Sequence, residues 1–133
     1  MNIIFFLLPK SQVAYINSNS TIRQALEKME HHRYSAIPVL DEEGKYFGTL
    51  SEGDLLWLFK NEHLTLEKSE QIKIKDIKFE KDIKSIHINK EMDELVDLIV
   101  NQNFVPVVDD MNTFIGIITR KQVISYLKDK VTL

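Results

Sequence analysis

The chain of 133 residues contains no cysteine, only four glycines and three prolines. The absence of cysteine excludes a disulfide framework, a thiolate metal site and a cysteine nucleophile. The glycines, at positions 44, 48, 53 and 116, are too few and too scattered for most glycine-rich phosphate loops. Several common catalytic and nucleotide-binding classes are therefore excluded before any residue pattern is considered.

The amino terminus has an apolar run, but the run is too short for a membrane-spanning helix. Ile3 to Leu8 is an apolar run of six residues closed by Pro9, whereas a membrane helix needs about twenty. A signal peptide begins with basic residues and continues with about seven to fifteen apolar ones, and no basic residue precedes this run. We expect a buried arm, packed on the core or on a second subunit, of a soluble cytoplasmic protein that has no membrane partner.

Charge of one sign is not in large excess. The 17 basic and 20 acidic residues give a net charge of −3, which argues against a nucleic acid as the main partner. Hydrophobic residues make up 44% of the chain and charged residues 28%, a composition typical of a folded domain. The length predicts one compact module over residues 1–133 that buries roughly two thirds of its unfolded surface.

An internal repeat organises the sequence. Two sets of apolar residues with i, i+3, i+4 and i+7 spacing lie seventy positions apart, and each predicts one face of an amphipathic helix. The sets are Ile22, Ala25, Leu26 and Met29, and Met92, Leu95, Val96 and Ile99. An apolar segment at the same distance before each helix, Val13–Ile16 or Ile83–Ile86, predicts a short strand.

The segments after the helices repeat as well, now sixty-eight positions apart. Each half has a hydrophobic-Pro-Val-x-Asp step, a turn and a strand that contains a glycine, and then a hydroxyl residue suited to cap a helix. In order, these are Ile37–Asp41, 42–45, Tyr46–Leu50 and Ser51 in the first half, and Val105–Asp109, 110–113, Phe114–Ile118 and Thr119 in the second.

Each half therefore predicts a β-α-β-β-α unit, and the chain an α/β (α+β) fold. We place the first repeat at residues 9–60, a connector rich in lysine and glutamate at 61–82, and the second repeat at 83–130. A unit of about fifty residues is marginal alone. The two repeats are therefore expected to share an apolar surface across a pseudo-twofold axis.

The two repeats resemble a tandem pair of cystathionine-β-synthase (CBS) domains, known as a Bateman module. The resemblance lies in the hydrophobic-Pro-Val-x-Asp step and the following Gly-x-hydrophobic-Ser/Thr-x-x-Asp step, and it covers nearly the whole chain. Small stand-alone Gram-positive proteins of this kind are similar, and some of them bind cyclic di-AMP. The resemblance implies adenine-nucleotide sensing in a cleft between the repeats, signalling to an unidentified effector protein, and a homodimer formed through the helices.

Catalytic constellations are poor. The four histidines, at positions 31, 32, 63 and 87, do not form the His-Glu-x-x-His spacing of a metal site, and no Gly-x-Ser-x-Gly elbow is present. The segment Gly48–Gly53 resembles the first part of a phosphate loop. Asp54 and Leu55 stand where that loop needs Lys and Ser or Thr. We expect no enzyme activity, no metal and no cofactor.

The resemblance implies a first nucleotide site. One repeat would hold the adenine and the other the ribose and phosphate. The residues carried over are Val13, Ala14, Tyr34, Ser35, Ala36 and Ile37 for the base, and Thr119, Arg120, Lys121 and Gln122 for the phosphate. Small Ser35 and Ala36 would leave backbone groups accessible, and the start of a helix with Arg120 and Lys121 favours an anion.

A second site follows from the same resemblance. Its residues would be Ile83, Lys84, Asn103, Phe104 and Val105, with Ser51, Glu52 and Asp54 from the other repeat. Asp54 matches the family's ribose-binding aspartate, or is a carboxylate that stabilises the helix start. The bulk of Phe104, which aligns with Ala36, would narrow this site, and Glu52 stands where the first site has Arg120.

Gln122 departs from the family pattern because it replaces the ribose aspartate in the first site. Loss of that carboxylate beside Arg120 and Lys121 favours a ligand with two phosphates and esterified ribose oxygens. Cyclic di-AMP is therefore the first hypothesis, with AMP, ADP and ATP as the nearest alternatives. A structural or oligomerisation module without a ligand remains the alternative class.

Overall fold

The computed structural model describes residues 1–131, which form two compact units. One unit is Ala14–Asp82, and the other combines Met1–Val13 with the chain from Ile83 onward. Each contains one β-α-β-β-α repeat, which confirms the predicted α/β fold with two repeats. Thr132 and Leu133, part of the predicted module 1–133, lie outside the described residues.

The elements of the first unit are β2 (Ile16–Asn17), α1 (Ile22–His32), β3 (Ala36–Leu40), β4 (Tyr46–Ser51) and α2 (Glu52–Glu62). The second unit contains β1 (Leu8–Pro9), β5 (Ile86–His87), α3 (Met92–Ile99), β6 (Phe104–Val108), β7 (Phe114–Thr119) and α4 (Arg120–Lys130). No helix in the described part of the chain is long and apolar enough to cross a membrane.

The sheet of the Ala14–Asp82 unit has the order β2-β3-β4, with β2 parallel and β4 antiparallel to β3. Helix α1 buries Ile22, Ala25 and Met29 against this sheet, as the apolar spacing predicts. Strand β3 is buried over nearly its whole length, and its Ile37 and Val39 belong to the same core.

The connector is a structural part of the first unit rather than a solvated linker. It holds two short 3-10 helices, Lys68–Glu70 and Ile74–Asp76. Leu64 and Ile74 are buried in the core of the unit, and Phe79 packs against that core. Because the segment is mostly charged, its few apolar residues were not recognised in the sequence as core residues. Their burial packs the connector against the first unit and contributes to the stability of that unit.

The sheet of the other unit has the order β1-β7-β6-β5. The amino-terminal arm begins with a 3-10 helix, Ile3–Phe6, in which Ile3 and Phe6 are buried. Strand β1 then pairs antiparallel with β7. The arm is thus packed on the core of the second repeat, which is one of the two alternatives that the sequence left open.

The first strand of each repeat is shorter and later than predicted. Only Ile16–Asn17 and Ile86–His87 pair with the neighbouring strands β3 and β6. Val13 is buried as the residue that ends a 3-10 helix over Lys10–Gln12. The apolar character of the residues before the two strands therefore reflects their packing and not pairing in a sheet. A sequence pattern does not distinguish these two causes.

Within residues 1–131, three helices begin with a capping box, in which the side chains of the cap residue and of the third helical residue accept hydrogen bonds from each other's backbone amides. The predicted caps Ser51 and Thr119 are confirmed, and Thr21 forms the same arrangement before α1. Each box positions the first residues of its helix, and those of α2 and α4 carry the predicted phosphate-side residues.

The aspartate of each Pro-Val-x-Asp step organises the following turn. In Asp41 and in Asp109, Oδ1 accepts hydrogen bonds at 2.9 Å from the amides two and four positions later. The amide of Thr113, followed by that of Met111, lowers the pKa of Asp109 because both stabilise the carboxylate.

Candidate functional site

The residues predicted for the first site fall in both units. Ala14 and Tyr34–Ile37 belong to one unit, and Val13 and Thr119–Gln122 belong to the other. Val13 is buried, and Ala14 is half-buried.

The segment Tyr34–Ile37 connects α1 to the start of β3. Ser35 is exposed, and Ala36 is half-buried at the first position of the strand. The Ser35 carbonyl oxygen accepts a hydrogen bond at 2.9 Å from the amide of Glu52, which joins this segment to the start of α2. Ile37 is fully buried, pairs with Leu50 in the sheet and belongs to the core.

Tyr34 offers an aromatic face near this segment. Its ring is half-buried and lies 5.4 Å from the ring of His32 in a tilted arrangement. Tyr34 and Ser35 line one end of a groove of about 760 Å³ within the Ala14–Asp82 unit. The other lining residues include apolar side chains from α1, α2 and the connector, namely Leu26, Met29, Leu55, Phe59 and Leu66.

The start of α4 carries the predicted phosphate-side residues. Thr119 Oγ1 accepts a hydrogen bond at 3.2 Å from the Gln122 amide, and Gln122 Oε1 accepts one at 3.1 Å from the Thr119 hydroxyl. Gln122 thus performs the capping role that Asp54 performs at the start of α2. It does so without a negative charge, which leaves the positive end of the helix dipole uncompensated.

Arg120, the first residue of α4, is held by its backbone amide, which donates to the Asn103 carbonyl oxygen at 2.8 Å, and by its side chain. Its Nε donates a hydrogen bond at 2.8 Å to the carbonyl oxygen of Ile99. Within residues 1–131, no carboxylate forms an ion pair with Arg120 or with the exposed Lys121. The arrangement combines an oriented guanidinium, a second cation and a helix N-terminus, and such a combination suits an anion.

Asp54 was predicted for the second site, but both oxygens of its carboxylate already accept hydrogen bonds from residues of its own unit. The residue is 2% exposed. Its Oδ2 accepts hydrogen bonds from the amide and hydroxyl of Ser51 at 2.8 and 2.9 Å. Its Oδ1 accepts hydrogen bonds from the amides of Glu80 and Lys81 at 2.6 and 3.1 Å. Asp54 therefore both caps α2 and fastens the end of the connector.

Gln102, which sequence reasoning did not single out, engages the backbone of two other second-site residues, Lys84 and Phe104. Gln102 is 8% exposed. Its Oε1 accepts a hydrogen bond at 2.8 Å from the amide of Lys84. Its Nε2 donates to the carbonyl oxygens of Lys84 at 3.0 Å and of Phe104 at 3.1 Å. The remaining second-site residues include Val105 in the core and the exposed Asn103.

A signal for Gln102 was present in the repeat. At the spacing of sixty-eight, Gln102 aligns with Tyr34, and both precede the strand that carries the Pro-Val step. The two repeats differ here in side-chain chemistry, an amide against a phenol. Comparison of the repeats position by position would have found this difference, although not its hydrogen bonds.

The protein is a member of the CBS domain family, whose model matches residues 7–61 and 74–129. The two matched segments correspond to the two β-α-β-β-α repeats. Within residues 1–131, no group of three or more His, Cys, Asp or Glu side chains is placed to hold a metal ion.

Several proteins are similar to this chain over nearly its whole length. Cyclic di-AMP receptor B of Bacillus subtilis is 29% identical over 92% of this chain and 83% of its own length. The crystal structure of CbpB from Listeria monocytogenes in complex with c-di-AMP is 27% identical, with a TM-score of 0.85 over 97% of this chain and 96% of that one. A hypothetical conserved protein from Geobacillus kaustophilus is 30% identical, with a TM-score of 0.87 over 98% of both chains.

Proposed function

We propose that this chain is a regulatory receptor for cyclic di-AMP that responds to the nucleotide by changing its contacts with an effector protein. The observation that carries this proposal is Arg120, whose guanidinium is oriented by the Ile99 carbonyl oxygen and has no carboxylate partner within residues 1–131. A phosphate oxygen is the natural acceptor for such a group. Similarity to receptors of this nucleotide over most of the chain supports the choice of ligand.

The adenine is proposed to lie against the backbone of Ala14, Ser35 and Ala36. Small side chains at these positions leave the backbone accessible, and Ala14 is half-buried without a hydrogen-bond partner among residues 1–131. An adenine edge offers one donor beside one acceptor, which suits an unpaired backbone amide and carbonyl group. Tyr34 would add an aromatic face for stacking.

Gln122 favours a dinucleotide over a mononucleotide at this site. Its side-chain oxygen is bonded to Thr119, and it carries no charge that would repel a second phosphate. A free ribose diol is best held by a carboxylate acceptor, which this position lacks. AMP, ADP and ATP remain the alternative ligands of the same site.

A homodimer formed through the second helix of each repeat is part of this proposal. At the repeat spacing, Leu56 corresponds to Ile124 and Phe59 to Leu127. Their exposed fractions match as well, at 58% and 53% for the first pair and 36% and 37% for the second. Exposed apolar residues at equivalent positions of both repeats, with Trp57 beside one pair, are typical of a contact surface.

We further propose that the chain acts in the cytoplasm by binding rather than catalysis, with neither nucleic acid nor membrane as a partner. The near balance of acidic and basic residues supports the absence of a nucleic-acid partner. A ligand-free oligomerisation module is the competing function, and the apolar helix surface just described is the observation that favours it.

A ligand screen separates these functions. Thermal unfolding is measured with cyclic di-AMP, AMP, ADP and ATP, and with cyclic di-GMP as a control that keeps two phosphates but changes the base. A ligand at a hundred times its Kd stabilises the native state by about 2.7 kcal/mol. We expect the largest rise in Tm with cyclic di-AMP and none with cyclic di-GMP. No rise with any adenine nucleotide would leave the ligand-free module as the function.

A further inference from the structure

We infer that Gln102 acts as a built-in substitute for an adenine base, so that the base-binding position of the second repeat is closed by the chain itself. The proposal concerns the backbone groups of Lys84 and Phe104. In the first repeat, the equivalent residues are Ala14 and Ala36. It rests on the proposed function because it assumes that the first repeat binds a base. Its consequence is one open base position per chain instead of two.

The hydrogen-bond pattern of Gln102 carries the inference. A carboxamide presents one acceptor and one donor side by side. In this chain the acceptor Oε1 receives the Lys84 amide at 2.8 Å, and the donor Nε2 reaches the Lys84 carbonyl oxygen at 3.0 Å. An adenine edge presents the same acceptor and donor through a ring nitrogen and the amino group. Gln102 therefore satisfies both backbone groups of Lys84 in the way that a bound adenine would.

A third contact strengthens the closure. Nε2 of Gln102 also donates to the Phe104 carbonyl oxygen at 3.1 Å, so both hydrogens of the amide are used. The side chain is buried. A ligand that displaced Gln102 would have to replace these three hydrogen bonds to Lys84 and Phe104. The displaced Gln102 carboxamide would also lose its partners, and an unpaired buried polar group is unfavourable in free energy.

The first repeat has no such substitute. Its equivalent residue is Tyr34, whose phenol has a single hydroxyl and cannot present an amide's pair of groups. No residue in 1–131 hydrogen-bonds to the backbone of Ala14, the position equivalent to Lys84 at the spacing of seventy. The repeat symmetry of the sequence therefore hides a difference between an open position and a filled one.

Asp54 supports the same conclusion from the other unit. It is the residue that the resemblance assigns to ribose in the second site, and the four hydrogen bonds that its carboxylate accepts all come from its own unit. Base-side and ribose-side groups of the second site are thus both engaged internally, by Gln102 and Asp54. In the first set, Gln122, the counterpart of Asp54, is likewise engaged in its own capping box, but within residues 1–131 Ala14 has no hydrogen-bond partner and Arg120 has no carboxylate partner.

The test uses AMP as the probe, because it carries a single base and can occupy each open position separately. The full chain labelled with ¹⁵N is titrated with AMP, while the amide signals of Ala14 and Lys84 are followed and calorimetry gives the stoichiometry. We expect one AMP per wild-type chain, with a shifted Ala14 signal and an unshifted Lys84 signal. In Gln102→Ala we expect a second AMP and a shifted Lys84 signal.

Asn101→Ala is the matched control. It removes an exposed amide side chain from the neighbouring residue and should keep one AMP per chain. Gln102→Met is a second variant, which removes both hydrogen-bonding groups but keeps the size of the side chain, and so avoids the cavity that Gln102→Ala leaves. Hydrogen exchange of the Lys84 amide in the free protein should accelerate about tenfold or more in Gln102→Ala and remain slow in Asn101→Ala.

The outcomes separate this inference from the proposed function. Lys84 exchange that accelerates in Gln102→Ala shows that Gln102 holds the Lys84 amide, a result that does not depend on nucleotide binding, and unchanged exchange overturns the inference. A wild-type chain that binds neither AMP nor cyclic di-AMP overturns the proposed function. A wild-type Lys84 signal that shifts with AMP, or a folded Gln102→Ala that gains no second AMP, overturns the inference.

Discussion

Arg120 donates a hydrogen bond from Nε to the carbonyl oxygen of Ile99, so the first residue of α4 is tied to the last residue of α3. The contact uses the nitrogen nearest the side-chain stem and leaves the two terminal nitrogens of the guanidinium for a ligand. It also satisfies a carbonyl group at a helix end, where backbone acceptors have no partner within the helix. One bond therefore orients the charge that we propose to hold the nucleotide.

Replacement of Arg120 should weaken nucleotide binding without unfolding the chain. A charge-assisted hydrogen bond to phosphate contributes about 1.5–3 kcal/mol, so Arg120→Ala should lower the affinity for cyclic di-AMP about ten- to a hundred-fold. Calorimetry measures the affinity, and circular dichroism verifies the fold. Arg120→Lys keeps the charge but not the fork of donors, and it should recover only part of the loss. Lys128→Ala, at the other end of α4, serves as the charge control and should bind normally.

Ala36→Phe should block the base position of the first repeat, because it introduces the side chain that Phe104 places at the equivalent position. We expect binding of cyclic di-AMP to become undetectable by calorimetry while the chain remains folded. Phe104→Ala is the reciprocal variant and should leave the affinity of the first site unchanged. If Ala36→Phe and Arg120→Ala both bind as tightly as the wild type, the second set of residues forms the functional site.

Asp54→Ala should destabilise the first unit. The substitution removes four hydrogen bonds made by one buried carboxylate to Ser51, Glu80 and Lys81. We expect a loss of about 2–4 kcal/mol in the free energy of unfolding, measured by urea denaturation. Glu52→Ala, an exposed neighbour in the same helical turn, should change stability by less than about 0.5 kcal/mol. A marginal effect of Asp54→Ala would contradict its role in fastening the connector.

Gly116→Ala should release the amino-terminal strand from the second unit. Gly116 has a φ of +153°, and a Cβ at this position would lie 2.2 Å from the carbonyl oxygen of Leu8 in the paired strand. The backbone strain alone costs about 1–3 kcal/mol, and β1 would have to move away as well. Gly53→Ala is the control, since its Cβ meets only the Ser51 hydroxyl oxygen at 3.6 Å. Limited proteolysis should remove the arm faster in Gly116→Ala alone.

We expect the protein to lose stability in alkaline solution because of the raised pKa of Tyr46. Burial raises the pKa of Tyr46 to about 12, with the hydrogen bond with Thr49 lowering it and the negative charge of Asp82 adding a smaller rise within that value. Because the pKa is higher in the folded state than the usual value near 10, the unfolded state releases the proton first. The stabilisation is therefore complete below about pH 10 and is lost as the pH rises towards 12. Urea denaturation of the wild type and of Tyr46→Phe, which lacks this titration, should diverge in that window.

Much of the fold was accessible from the sequence because it depends on local patterns. The helical faces of α1 and α3, the paired strands after each Pro-Val step, and the caps Ser51 and Thr119 all follow from spacing and side-chain chemistry. The predicted positions of the short strands β2 and β5 were too early in the sequence. An apolar residue that is buried outside a sheet, such as Val13 before β2, has the same sequence pattern as a residue of a strand.

The candidate site was accessible only in part. The residue types of the first set could be proposed from the motifs, and their nucleotide role stays a prediction. The internal bonds of Asp54 and Gln102 could not be read from the motifs, because their partners lie 26 and 18 positions away in the chain. A carboxylate that binds ribose and one that fastens a connector have the same sequence signature.

The sequence by itself determined the two repeats, their β-α-β-β-α order and the family, because periodicity and short motifs express local geometry. Only the tertiary structure decided that the amino-terminal arm joins the second repeat, that the connector joins the first, and that Gln102 engages Lys84. The physical reason is that each of these depends on which distant backbone group meets a given side chain. A hydrogen bond needs a partner within about 3 Å, and distance along the chain does not set distance in space.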